Sequence, residues 1–87
     1  DAVAQFYGNV RSQYERTMSL RKTAREYASI VKKLSSTEYL TKALQAGQIS
    51  IVDYINENKL YYEAIEKSLE AERDYRLALA ELQSYLD

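Results

Sequence analysis

The near absence of residues that interrupt a helix is the feature that most constrains this chain. Its 87 residues include no Pro and only two Gly, Gly8 and Gly47. Because Pro and Gly are the strongest local signals for turns and helix ends, a chain nearly free of them favours long helices. The sequence therefore predicts an all-α fold.

Gly47 marks the predicted turn. It stands in Ala46-Gly47-Gln48, where the apolar periodicity of the first half of the chain ends. A glycine can adopt positive φ just after a helix and so let the chain reverse. Ser50 then offers an N-cap, and Asp53 places an acidic side chain in the first turn of the following helix.

We therefore expect a first helix at about 2–45, a turn at 46–49 and a second helix at about 50–86. A connection this short makes the two helices antiparallel neighbours, so residues 1–87 form a single coiled-coil hairpin with a tight turn near residues 45–49. An alternative is a restart inside the first helix, because Ser35-Ser36-Thr37-Glu38 has the pattern of a capping box with Ser35 as the N-cap.

The first helix carries one apolar seam. From Leu20 onward the apolar positions step by 4, 3, 4 and 3, which is the spacing of a coiled coil. Between Val10 and Leu20 the same register passes through Gln13 and Thr17, so the seam is polar there. The apolar positions are Phe6, Val10, Leu20, Ala24, Tyr27, Val31 and Leu34.

The second helix carries two neighbouring tracks with coiled-coil spacing, and one partner helix covers only one narrow seam. The tyrosine–alanine track is therefore expected to need a further neighbour, although a broad core face of a bundle is an equally good interpretation. The isoleucine track consists of Ile55, Asn58, Tyr62, Ile65, Leu69, Glu72, Arg76 and Leu79. The tyrosine–alanine track consists of Tyr54, Glu57, Tyr61, Ala64, Ser68, Ala71, Tyr75, Ala78, Leu82 and Tyr85.

The two halves of the chain carry opposite charge. Residues 1–44 hold eight basic and four acidic side chains, a net charge of +4, whereas residues 48–87 hold four basic and nine acidic ones, a net charge of −5. We expect this difference to favour pairing of the two helices, although each exposed pair contributes only a few tenths of a kcal/mol. The basic cluster at 21–33 is interpreted in the same way, as facing the acidic helix.

The composition argues against catalysis by this chain. It contains no His and no Cys, so the commonest general base, metal ligand and thiolate nucleophile are missing. Neither Gly lies in a phosphate-binding motif, and the net charge of −1 disfavours nucleic acid as a partner. We expect no enzyme activity, no cofactor and no metal site; a solvated acidic face is the preferred interpretation of Glu63, Glu66, Glu70 and Asp74.

Two segments resemble the TolC-like outer-membrane efflux channel family. The first runs from Ala46 to Ile55 and contains Gly47, Ser50 and Asp53; the second is Ala71-Glu72-Arg73-Asp74-Tyr75-Arg76-Leu77-Ala78-Leu79-Ala80-Glu81-Leu82. Repeats of that family carry a Gly at a helix-to-helix tip, a short Ser/Thr and aliphatic stretch with an acidic residue, and a closing Ala-Leu-Ala-x-Leu-like phrase. The resemblance covers about 45 residues; the first helix matches only in length and pattern.

The resemblance implies a homotrimeric channel whose long helices form a periplasmic α-barrel in a Gram-negative bacterium. It places Ala46, Gly47 and Gln48 at the tip that contacts a periplasmic adaptor protein, which belongs to a tripartite pump with an inner-membrane component. It also places Asp53 near the narrow channel entrance, together with Asn56, which stands where some members have a second acid. Leu44 and Ile49 replace the Tyr and Arg that members often carry around the tip.

This resemblance leads us to expect a piece of a longer channel protein, with membrane contact only through parts outside this sequence. The alternative is a self-associating coiled-coil interaction module unrelated to transport. A third hypothesis is a fragment of an enzyme whose site is completed by other chains. The exported substrate is not encoded here, because such channels take specificity mainly from their pumps.

Overall fold

A computed structural model describes residues 1–34 and 36–87. These residues form three helices and no strand, namely α1 (Ala2–Lys33), α2 (Thr37–Gln45) and α3 (Ile51–Leu86). The all-α fold expected from the sequence is confirmed, with two long helices. α1 packs against one part of α3 and α2 packs against another.

The molecule is a rod. Its principal extents are 68, 17 and 14 Å, and its radius of gyration is 19.8 Å. A compact domain of this length would have a radius of gyration of about 12 Å. Because the rod is only two helices thick, every helix keeps a broad outer face in contact with solvent.

The first predicted helix is interrupted, so a single helix over 2–45 is wrong. α1 ends at Lys33. Its C-cap Leu34 has an extended ψ of 150°, and the Leu34 amide still donates to the carbonyls of Ile30 and Val31. Ser36 is the N-cap of α2, because its Oγ accepts from the amide of Tyr39 at 3.3 Å. A serine side chain that satisfies a free amide lowers the cost of restarting a helix. The capping role predicted for Ser35 lies outside the described residues.

The turn between α2 and α3 has the predicted Gly at its centre. Gly47 has a φ of +74°, and its amide donates to the carbonyl of Leu44 at 3.1 Å while the Gln48 amide donates to that of Ala43 at 2.9 Å. These two bonds form a Schellman motif, which satisfies the last carbonyls of a helix. Ser50 caps α3, since its Oγ accepts from the Asp53 amide at 3.1 Å.

Contacts between the helices run along the whole rod. The Phe6 and Tyr85 rings have centroids 6.3 Å apart near one end, and Gln13 contacts Ala78 further along. Near the Gly47 turn, Thr37 contacts Asn58 and Thr41 contacts Tyr54. The residue numbers of the α3 partners therefore fall as those of the α1 and α2 partners rise.

The core is narrow and consists mainly of small side chains. Thr17 is completely buried, and Ala78 is 3% exposed. Small side chains let two helix backbones approach closely, because little volume separates them. The other buried residues are Ala24, Leu40, Ala43, Ala71 and Leu82.

Candidate functional site

The polar part of the α1 seam contacts the backbone of α3. Gln13 Nε2 donates to the carbonyl oxygen of Ala78 at 2.9 Å. Thr17 Oγ1 donates to the Gln13 carbonyl at 2.7 Å and also lies 3.2 Å from the Ala78 oxygen. Both side chains reach that carbonyl because alanine leaves the backbone uncovered, so polar and small positions fit each other across the seam.

A second polar contact lies nearer the Gly47 turn. Thr37 Oγ1 donates to Asn58 Oδ1 at 3.1 Å and lies 3.4 Å from the Tyr62 hydroxyl. Thr41 Oγ1 and the Tyr54 hydroxyl are also 3.4 Å apart. Neither threonine was expected from the sequence to take part in a contact. Their spacing of four residues, which places both on one face of α2, was the available signal.

The tyrosine–alanine track lines most of the seam inside this chain. A further neighbour and a broad core face were equally good interpretations of this track, and the structure places its residues towards α1 and α2. Ala71, Ala78 and Leu82 are buried there, while Tyr54, Tyr61, Ala64 and Tyr75 are half-buried. Its alanines match the small residues of α1, whereas larger side chains would hold the helices apart.

The isoleucine track is the more exposed of the two, although its Asn58 and Tyr62 contact Thr37 of α2. Ile55, Tyr62 and Leu69 are 58%, 54% and 66% exposed. Ile65 and Leu79, which lie closer to the seam, are half-buried. Exposed apolar side chains that recur along one helix face indicate a surface for another helix.

On the side of the tyrosine–alanine track that faces away from the isoleucine track, a groove lies near the C-terminal end of α1. Its volume is about 330 Å³, and Glu63 and Lys67 stand at its rim. Its apolar wall includes Ile30 and Leu60, which are 46% and 53% exposed. The remaining lining residues are Tyr27, Leu34 and Ala64. Both sides of the rod thus offer apolar surface.

The predicted tip and entrance residues are all on the surface. Ala46, Gly47 and Gln48 are exposed at the turn, and Asp53 and Asn56 are exposed in the first two turns of α3. Asp53 and Asn56 are three residues apart, so they share one helix face. Within the described residues, Asp53 takes part in no ion pair.

Within the described residues, the attraction predicted between the oppositely charged helices produces no ion pair that joins one helix to another. Among the described residues, every ion pair lies within one helix: Arg11 with Glu15, Lys42 with Glu38, Arg73 with Asp74, and Arg76 with Glu72. The basic cluster of α1 therefore does not pair with α3 at hydrogen-bonding distance. Its charges, and most acidic groups of α3, face solvent.

Residues 1–34 and 36–87 bring together no group of three or more acidic side chains that could hold a metal ion. In the same part of the chain, no helix combines the length and apolar character that a bilayer crossing needs. No family model, curated protein or solved structure matches this chain.

Proposed function

We propose that this chain is a periplasmic segment of a trimeric, TolC-like outer-membrane efflux channel, folded as an antiparallel coiled-coil hairpin. In this proposal the helices form part of an exit duct, and energy comes from an inner-membrane pump joined through a periplasmic adaptor. The observation that carries the proposal is the apolar surface on both sides of a rod only two helices thick. A helix in a barrel wall needs such a surface, because it packs between two neighbours.

The direction of the chain supports the hairpin. Contact partners on α3 fall in number as those on α1 and α2 rise, from Phe6 with Tyr85 to Thr41 with Tyr54. The Gly47 turn provides a reversal in very few residues. An antiparallel pair closed by a short connection accounts for both observations.

The tip is the proposed adaptor contact. Ala46, Gly47 and Gln48 are exposed and carry no charge, and the positive φ of Gly47 fixes the shape of the reversal. An uncharged surface with a fixed backbone suits docking against the tip of another helical hairpin. Asp53 and Asn56, one turn further on, are proposed to line the channel entrance.

Substitution of Asp53 in the full-length channel tests the entrance role. Asp53→Ala removes a carboxylate that has no ion-pair partner in the described chain, so we expect lower cation preference in single-channel recordings. Glu81→Ala removes an equal charge from an exposed position near the other end of the same helix, about 42 Å from Asp53, and is the matched control. An unchanged cation preference in Asp53→Ala would remove this residue from the entrance.

The second candidate is a self-associating coiled-coil module without a role in transport. The exposed isoleucine track favours it, because a free-standing module also needs to cover such a surface. The two candidates differ in the sequence expected on either side of this segment in the gene. A channel requires further sequence on both sides, including a second helical hairpin of similar pattern.

A further inference from the structure

Two outward-facing patches on this rod carry opposite charge. The basic patch on α1 consists of Met18, Arg21, Lys22 and Arg25, with Glu26 and Ser29 at its edge. The acidic patch on α3 consists of Glu66, Leu69 and Glu70, with Arg73 at its edge. Each patch surrounds an apolar side chain with charged ones, as is common where two proteins meet.

The charges of the two patches are not used inside the chain. Among the described residues, Arg21, Lys22 and Arg25 form no ion pair, and neither do Glu66 and Glu70. At the edge of the acidic patch, Arg73 Nη2 lies 3.7 Å from Asp74 Oδ1. The positive charge of Arg73 is therefore partly neutralised. Both patches are thus free to attract a partner.

The patches stand at the same height along the rod. Gln13 contacts Ala78, and Thr37 contacts Asn58, so positions 22–25 of α1 lie beside positions 66–73 of α3. A second copy placed alongside, with its turn at the same end, keeps these heights. The basic patch of one copy then meets the acidic patch of the next.

We infer that this chain associates with a second copy of itself side by side, with α1 of one copy against α3 of the other. Charge complementarity selects this pairing, because α1 against α1 and α3 against α3 both bring like charges together. The exposed Leu69 side chain packs beside Met18 in the same contact. The contact uses different surfaces on the two copies, so it continues until the assembly closes. The inference concerns the isolated chain and does not depend on a role in transport.

Paired charge reversals test this arrangement by sedimentation velocity of the purified chain. The first variant is Lys22→Glu with Arg25→Glu, and the second is Glu66→Lys with Glu70→Lys. Each variant alone has two like-charged patches, so we expect self-association weaker than that of the unmodified chain by about tenfold or more. An equimolar mixture restores association, because each variant then meets an oppositely charged patch.

Arg16→Glu with Lys32→Glu changes the net charge as much as the first variant does, but outside both patches and at two exposed positions that form no ion pair among the described residues. We expect it to associate like the unmodified chain, with equal helicity by circular dichroism in all variants. Association of the unmodified chain should weaken at about 1 M salt, where the Debye length falls to about 3 Å. A monomeric unmodified chain at low salt, or a mixture no more associated than its components, overturns the inference. Either result leaves the channel proposal intact, since that proposal is tested on the full-length protein and its gene.

Discussion

Small side chains determine how closely α1 and α3 approach. Thr17 is fully buried and Ala78 is 3% exposed, and Gln13 and Thr17 both reach the Ala78 carbonyl. The sequence indicated a polar segment in the seam at Gln13 and Thr17. It did not indicate that their hydrogen-bond acceptor is the Ala78 carbonyl, because every residue has a main-chain carbonyl and the sequence does not distinguish among them.

Enlarging the side chain at the closest approach should destabilise the fold. Ala78→Leu forces extra methyl groups into a filled seam, and we expect a loss of about 1–3 kcal/mol in the free energy of unfolding. The matched control is Ala80→Leu, two residues further on and less buried, which should change stability by less than about 0.5 kcal/mol. Urea unfolding followed by circular dichroism measures both. Equal effects at the two positions would contradict the proposed packing.

The two glycines should respond in opposite ways to alanine. Gly47 has a φ of +74°, so Gly47→Ala should lower stability by about 1–2 kcal/mol through backbone strain, even though no atom lies within 4 Å of the added Cβ. Gly8 lies within α1, and Gly8→Ala should raise stability by about 0.5–1 kcal/mol because alanine favours the helix. Thermal unfolding of the two variants measures the difference. A stabilising Gly47→Ala would contradict the left-handed turn.

Helix boundaries show what a pattern in the sequence can and cannot define. Gly47 and Ser50 identified the turn and the start of α3 because each has a specific local role, in positive φ and in capping. The interruption at Leu34 was harder to predict, since no Pro or Gly stops α1 there. It depends on whether Ser36 caps a new helix or stays within the old one, and a capping side chain contributes only about 1 kcal/mol.

The choice between the two tracks on α3 was also beyond the sequence pattern. Both have coiled-coil spacing, and the isoleucine track carries more of the large aliphatic side chains. The structure turns the other track inward, where Ala71 and Ala78 are buried, as are the small residues Thr17 and Ala24 of α1. Because the fit between α1 and α3 depends on the side chains of both helices, the periodicity of one helix alone does not predict it.

The path of the chain can be tested by a distance between spin labels. Because the chain has no native Cys, Ser12→Cys with Ala80→Cys allows labels at two exposed positions on α1 and α3. For adjacent antiparallel helices, whose axes lie about 8–10 Å apart, we expect the labels within about 30 Å of each other. A continuous straight helix would separate these positions by about 100 Å. Labels at Ser12 and Ser29, both in α1, provide a reference distance of about 25 Å.

The shape of the whole molecule connects these details to the proposed function. A rod 68 Å long and two helices thick cannot cover both sides of α3 with its own residues. Ile55 and Leu69 stay exposed on one side, and Leu60 stays exposed on the other. These surfaces are explained if further helices lie on both sides, as in the wall of an α-barrel.

Determining the gene sequence on both sides of this segment tests the central claim most directly. If the chain is part of an efflux channel, the reading frame continues in both directions and encodes a second pair of long helices joined at a glycine. A reading frame of little more than the 87 codons of this chain, with no such second pair, would contradict the channel proposal.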